Sequence, residues 1–324
     1  MVWHYACEDA DTTFRLFGVL SKELEIRGLQ SQFESRTMTL ALQLGSWEFE
    51  GIPVGEQRLH ALRTGASKQV DTAREAVQSH LGKGFNVDSN QEIQAALLAD
   101  ENIADFFRGK RLTNNLLEDL SGASEAARAL VIYRREKYVL QQIEELIEQS
   151  QNGKVHPVFS QISSRFGQIT ARKPNLFATN VVREAVDKSV WHLYSDAMRS
   201  LQALVTLSGD EILSTDLIEG YPADFAILEE NVDRFLLSLV VGNSNSKLAR
   251  QFLLEQPVVA DLRHRISVRY RRAFQWVDGV HTDAIKYGFI ENEGRRFFVA
   301  GLGSSDLYKR QQAMNLCVKW LLQY

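Results

Sequence analysis

The strongest constraint on the fold lies in residues 125–149, where apolar side chains recur at intervals of three and four. They stand at positions 130, 131, 133, 138, 139, 143, 146 and 147, and charged side chains occupy many of the positions between them. This spacing puts the apolar side chains on one face, so the segment predicts a long amphipathic helix that needs a partner surface. Similar patterns predict further helices over 9–29, 31–47, 56–81, 199–215, 224–256 and 258–287.

The segment 151–175 has a different character. It mixes Gly, Pro, Ser and Thr with short alternations typical of strands, and it contains no Asp or Glu. We predict a boundary here, between an N-terminal helical part and a C-terminal α/β part, and a buried strand over 190–197. The expected fold class is mainly α with a smaller α/β part.

Several function classes are disfavoured by what the chain does not contain. Its 324 residues carry a formal net charge of −4, so it does not coat nucleic acid by bulk positive charge. Cys7 and Cys317 are too far apart in sequence for a CxxC metal site, and the His residues show no HExxH pattern. The chain has no signal-peptide pattern and no long apolar run. We therefore expect an intracellular protein, cytoplasmic or nucleoid-associated and not secreted, with no membrane partner.

A second segment without acidic residues, LRHRISVRYRR (262–272), carries five Arg and one His. On one helix, Arg265, Arg269 and Arg272 share a face, because they lie three or four residues apart. Such a stripe suits a phosphate backbone. The alternative is a solvated helix that pairs with the acidic region 223–233.

Five stretches form a recognisable series when they are taken in chain order. They are YACEDADTTFRL (5–16), GFNVDSNQEIQAAL (84–97), HPVFSQISSRFGQITARKPNL (156–176), GNSNSKLARQF (242–252) and VRYRRAFQWVDGVHTDAIKYGFIENEGRRF (268–297). In this order the chain resembles a family A DNA polymerase, the Klenow type of bacterial DNA polymerase I. The stretches are similar to the end of the proofreading 3′–5′ exonuclease, the thumb, the start of the palm, the end of the fingers helix and the segment beyond it.

The resemblance implies a right-hand polymerase architecture that grips a primer–template duplex. Residues 1–30 would be a remnant of the exonuclease-like domain, 31–150 a thumb-like region, and 151–324 a partial palm and fingers-like region. DNA is the implied partner, with a replication protein or a larger complex as a second one. Together with the two acid-free segments, the resemblance implies a nucleic-acid contact surface made of Lys154, His156, Gln161, Arg165, Arg172, Lys173, Asn175, Arg183, Arg250, Arg265, Arg269 and Arg272.

Departures from the family pattern fall on the residues that would perform the chemistry. Ser195 stands at the position of the catalytic Asp, Asp233 at that of the fingers Lys, and Val241 at that of the fingers Tyr. Two-metal phosphoryl transfer needs two carboxylates, and a carboxylate in place of a cation repels a triphosphate. The sequence given also lacks the HDE motif that supplies the second metal ligand, and it lacks the earlier exonuclease motifs. We therefore expect a polymerase-like protein with no catalytic residues, no metal and no cofactor.

Two alternatives remain open. The chain could be one piece of a split or divergent polymerase, in which Asp196 binds Mg²⁺ after a register shift and a second chain supplies the missing motif. It could also be a protein-binding subunit of a larger assembly with no nucleic-acid role, which suits the negative net charge.

Overall fold

Helices make up most of the structure, which is a computed structural model of the chain. The fold class predicted from sequence, mainly α with a smaller α/β part, is confirmed, because the β-structure of the described residues is three two-stranded sheets. The structure describes residues 2–82, 84, 86–99, 103–104, 109–163, 169–188, 190, 197–210, 232–292 and 295–322.

The chain begins with an arm of consecutive helices. α1 covers Val2–Ile26 and ends where Gly28 adopts a φ of +67°, a left-handed conformation that glycine takes without a Cβ penalty. α2 (Gln30–Gln32) leads into a π-helical stretch (Phe33–Met38) and then into α3 (Thr39–Glu50). The first helix therefore starts earlier than its periodicity indicated.

The first hydrophobic core lies around two long helices, α4 (Glu56–Leu81) and α7 (Glu125–Gln149). The helices predicted over 56–81 and 125–149 are confirmed. Two shorter helices, α5 (Asn90–Ala99) and α6 (Asn114–Leu120), complete this α4–α7 core. Its buried side chains include Val70, Val77, Ile93, Leu97, Leu117, Leu130, Tyr133 and Leu253.

Short strands gather around a second core. β1 (Ile52–Pro53) pairs antiparallel with β2 (Lys154–Val155), and β3 (Val158–Ser160) pairs antiparallel with β4 (Thr170–Arg172). α8 (Asn180–Ala185) follows them in the chain. The buried side chains of this strand core come from both sides of position 150. They include Leu44, Ile52, Leu146, Val155, Leu176 and Val182. The domain limits at 30 and 150 stay a prediction.

A third, C-terminal core contains large buried side chains such as Phe235 and Trp320. The β5–β6 hairpin, Phe289–Asn292 with Arg295–Phe298, packs beside it through Ile290 and Phe297. The helices around this core are α9 (Ala197–Ser208), α10 (Val232–Val240), α11 (Asn245–Phe252), α12 (Gln256–Arg269), α13 (Arg271–Tyr287) and α14 (Leu307–Leu321).

The prediction of one helix over 258–287 is wrong, because the backbone breaks at Tyr270. Its φ of −107° and ψ of 53° lie outside the helical region, and its ring is buried in the C-terminal core. A carboxylate from a distant segment stabilises the break, since Asp210 Oδ2 accepts a hydrogen bond from Ala273 N at 2.7 Å. An aspartate at this place satisfies an N–H group that the first turn of α13 leaves unpaired.

Two further predictions concern the buried strand over 190–197 and the lack of a membrane-spanning segment. The strand expected over 190–197 falls largely outside the described residues. Among the helices that are described, none is long and apolar enough to cross a membrane.

Candidate nucleic-acid interface

The acid-free segment is fixed to the C-terminal end of α3 through its first residues. The Lys154 ammonium group donates to Glu50 O at 3.0 Å, and His156 Nδ1 donates to Glu48 O at 2.9 Å. These carbonyl groups lie in the last turn of α3, where backbone oxygens have no partner within the helix. Both side chains remain exposed.

A glycine lets the His156 ring lie close to the backbone. Gly51 has a φ of +79°, and a Cβ atom at this position would stand 2.8 Å from His156 Cε1 and Nε2. Only glycine accommodates both the backbone conformation and the approach of the ring. The Glu48 carboxylate also accepts from Phe159 N at 2.5 Å, which holds the start of β3 against α3.

The β3–β4 hairpin presents the remaining positions of this segment in different ways. Arg172 and Lys173 are exposed at the end of β4, whereas Gln161 is half-buried. Asn175 is also half-buried, and its Oδ1 accepts from Phe177 N at 3.1 Å, so it shapes the turn. Arg165 lies outside the described residues.

Two further predicted contacts occupy more constrained positions. Arg183 is half-buried on α8. Arg250 forms an ion pair with Asp119 and donates to Ser246 O at 3.2 Å, so it joins α11 to the end of α6. Its guanidinium group therefore has a structural partner, and an incoming phosphate would have to compete with it.

The break at Tyr270 divides the predicted arginine stripe between two helices. Arg265 and Arg269 are exposed on α12, where Arg265 lies 3.9 Å from Asp261 and Arg269 lies 5.8 Å from the centre of the Tyr270 ring. Arg272 belongs to α13 and donates to Gly209 O at 3.4 Å. The expectation that the three guanidinium groups share one helix is wrong.

Arg263, in the same segment, is held by hydrogen bonds within the protein. It donates to Asn245 Oδ1 at 2.6 Å, to Leu239 O at 3.2 Å and to Asn243 O. Burial lowers its pKa from the ordinary value of arginine. The local sequence does not separate this buried arginine from its exposed neighbours.

A basic cavity that the sequence did not predict lies where α6, α7, α8, α10 and α11 meet. The cavity has a volume of about 920 Å³, and three arginines line it together with two glutamates: Arg134, Arg135, Arg234, Glu118 and Glu184. Arg135 pairs with Glu118 at 3.0 Å, but Arg134 donates to two neutral amide oxygens, Asn114 Oδ1 at 2.6 Å and Asn90 Oδ1 at 2.7 Å. Burial lowers the pKa of Arg134. The available signal was the run of charged residues RREK (134–137) in the helix over 125–149.

The positions that would carry polymerase chemistry are only partly described. Ser195 and Asp196 lie outside the described residues. Asp233 is half-buried on α10, and Val241 is fully buried in the C-terminal core. The described part of the chain holds no cluster of three or more His, Cys, Asp or Glu that could bind a metal ion. The Mg²⁺ site of the split-polymerase alternative would need Asp196, so the described residues provide no fit for it.

Comparisons with known proteins agree with this architecture. The family model for DNA polymerase family A matches residues 56–207. DNA polymerase I of Treponema pallidum is 24% identical over 98% of this chain and 35% of its own length. The thermostable DNA polymerase I of Thermus thermophilus is 23% identical over 95% of this chain and 41% of its own length. The chain thus spans less than half the length of these relatives.

A solved structure shares the fold. The polymerase domain of Pol1 from M. smegmatis, in complex with a DNA primer-template and dNTP, superposes with a TM-score of 0.65 and 20% identity. The superposition covers 94% of this chain and 59% of that chain. The helix-rich architecture is therefore that of a polymerase domain. The chain is therefore similar in sequence and in fold to DNA polymerases of family A.

Proposed function

We propose that the chain binds duplex DNA of the primer–template type and does not itself extend a primer. The observation that carries the proposal is the exposure of Lys154, His156, Arg172 and Lys173 along a segment without acidic residues. Phosphate contacts by such cations supply most of the affinity of sequence-independent DNA binding. The solved relative binds a DNA primer-template, which supports the same partner class here.

The rigid attachment of this segment supports a binding role. Hydrogen bonds from Lys154 and His156 to α3 carbonyl groups hold the first residues of this segment in place. A preorganised surface loses less entropy when it binds. The Arg134 guanidinium group in the basic cavity adds a positive charge whose hydrogen bonds go to neutral amides, so it suits a further phosphate.

The loss of catalysis is supported by the residue types at the reactive positions. Ser195 cannot replace a metal-binding carboxylate, and Asp233 brings negative charge where a triphosphate would lie. Val241 has no exposed surface to offer an incoming base, because its side chain packs in the C-terminal core.

Binding can be tested by fluorescence anisotropy with a labelled duplex that has a single-stranded overhang. The double variant Arg172→Ala/Lys173→Ala should bind more weakly, and its salt dependence should become shallower by about one unit of slope per lost phosphate contact. The matched control is Arg63→Ala/Lys68→Ala, which removes two exposed cations from α4. Equal losses in both variants would show that binding depends on overall charge rather than on this surface.

Catalysis can be tested by primer extension with Mg²⁺ and all four deoxynucleoside triphosphates. We expect no extension by the chain alone, and robust extension would contradict the proposal. The split-polymerase alternative predicts extension only after addition of a second protein, with loss of that activity in Asp196→Asn. The alternative of a protein-binding subunit predicts that neither the Arg172/Lys173 variant nor an Arg265→Glu/Arg269→Glu variant changes DNA affinity.

A further inference from the structure

The outer surface of α1 is unusually apolar for a helix that lies in solvent. Every side chain from Trp3 to Leu20 is exposed, and the first half-buried ones are Ser21 and Leu24. Phe14 is 76% exposed and Phe17 is 68% exposed. Large apolar side chains of this kind, concentrated on one element, mark a surface that binds another protein surface.

A regular stripe runs along one side of this helix. Its residues alternate at intervals of four and three, which is the spacing of a coiled-coil seam. Small and large side chains occur along it in a fixed order: Trp3, Cys7, Ala10, Phe14, Phe17, Ser21 and Leu24. A second copy of the same stripe is therefore a candidate partner surface.

The order of side-chain sizes selects one arrangement of two such helices. In an antiparallel pair in which Ala10 faces Phe14 of the other copy, Cys7 faces Phe17 and Trp3 faces Ser21. Every layer then combines a large side chain with a small one, which fills the space between the helices without overpacking. A shift by one heptad would place Phe14 against Phe17 and Ser21 against Ala10, combining large with large and small with small.

The charges of α1 favour the same arrangement. Residues 2–11 contain Glu8, Asp9 and Asp11 but no Lys or Arg, whereas residues 13–22 contain Arg15 and Lys22 but no Asp or Glu. Antiparallel pairing places the acidic residues 2–11 of each helix beside residues 13–22 of the other, whose cations are Arg15 and Lys22. Arg15 also forms an ion pair with Asp11 of its own helix at 2.9 Å, and Glu23 and Glu25 lie beyond this overlap. Parallel pairing would place like charges together, which disfavours association.

We infer that two copies of the chain associate through an antiparallel pair of α1 helices, with Ala10 of one copy against Phe14 of the other. The overlap from residue 3 to residue 21 is about 28 Å long at 1.5 Å per residue. An interface of one helix pair is small by the standard of about 800 Å² per partner, so we expect a dimer that dissociates on dilution.

Sedimentation equilibrium across a concentration series tests the dimer. The unaltered chain should show reversible monomer–dimer behaviour, and Phe14→Glu should weaken the dimer at least roughly tenfold, because a buried aromatic anchor is replaced by a charge. The matched control is Val19→Glu, which adds the same charge to the opposite side of α1, where Val19 is 65% exposed. Far-ultraviolet circular dichroism checks that both variants keep their helix content.

Crosslinking with a short bis-maleimide tests the orientation. In the antiparallel pair the two Cys7 residues lie about 15 Å apart along the axis, whereas two copies of residue 13 lie about 3 Å apart. The unaltered chain should therefore give little crosslinked dimer, and Cys7→Ser/Thr13→Cys should give much; Cys317 is buried and does not interfere. A monomer at every concentration, equal weakening by Val19→Glu, or efficient Cys7 crosslinking would overturn the inference.

Discussion

Asp88 joins the loop before α5 to the middle of α7 through two donors. Its Oδ1 accepts from Tyr133 Oη at 2.8 Å and from the Lys137 ammonium group at 2.6 Å. Burial by itself would raise the pKa of Asp88, but the hydrogen bonds from Lys137 and Tyr133 outweigh it and hold the pKa below its ordinary value of 3.8. The charged carboxylate is therefore the form that the folded chain prefers.

The first prediction concerns the pH dependence of this contact. A depressed pKa contributes stability above the unfolded-state pKa, and that stability is lost as the pH falls through the folded-state value. Asp88→Asn should lower the free energy of unfolding at neutral pH by about 1 kcal/mol, a modest value because the pair is partly open to solvent. Urea denaturation should show the difference shrinking as the pH falls below 3.8.

A carboxylate change elsewhere on the surface separates this effect from the loss of one negative charge. Glu148→Gln alters an exposed side chain at the end of α7 and should leave the free energy of unfolding almost unchanged. A difference between Asp88→Asn and the unaltered chain that stayed constant down to strongly acidic pH would contradict the assigned hydrogen bonds.

The elements that sequence analysis predicted well are those whose stability is encoded locally. The periodicity over 56–81 and 125–149 gave both helices with their bounds, because each buries one continuous apolar stripe. The break at Tyr270 could not be predicted, since the carboxylate that stabilises it comes from Asp210 in another part of the chain. The helix predicted over 199–215 also ends earlier than expected, at Ser208, where the next residue, Gly209, has a φ of +73°.

The difference between local patterns and contacts between distant residues also explains which parts of the candidate site could be predicted from the sequence. The acid-free segment 151–175 is visible as a local run of residues, so it could be identified. The partner of Arg250 could not, because Asp119 lies on α6 and no sequence pattern links the two. The basic cavity also escaped, since its arginines come from α7 and α10 and meet only in the folded chain.

The second prediction concerns the contact between Asp210 and α13. Asp210→Ala leaves Ala273 N without its acceptor and should lower the free energy of unfolding by about 1 kcal/mol. Asp210→Asn keeps an acceptor oxygen but loses the favourable charge at the helix N-terminus, so its effect should be smaller. Denaturant unfolding gives this order, and hydrogen exchange should show faster exchange confined to the first turn of α13. An alanine variant as stable as the asparagine variant would refute the capping role.

At the scale of the whole molecule, the side chain of Leu253 links two of the hydrophobic cores. Leu253 follows α11 of the C-terminal part, yet its side chain packs in the α4–α7 core, where it is 8% exposed. The next residue, Leu254, packs against the C-terminal core instead. The ion pair between Arg250 and Asp119 crosses the same junction. The two parts should therefore unfold as coupled units.

The third prediction tests this coupling with two neighbouring leucines. Leu253→Ala should cost about 2–4 kcal/mol, and its φ of +55° is no more strained for Ala than for Leu, so the loss reports packing alone. Hydrogen exchange should accelerate in α6 and in the first half of α7, although the substitution lies more than a hundred residues away in sequence. Leu254→Ala should instead accelerate exchange around α11 and α12. If Leu253→Ala accelerated exchange only in the C-terminal helices, the inference that Leu253 couples the two cores would be wrong.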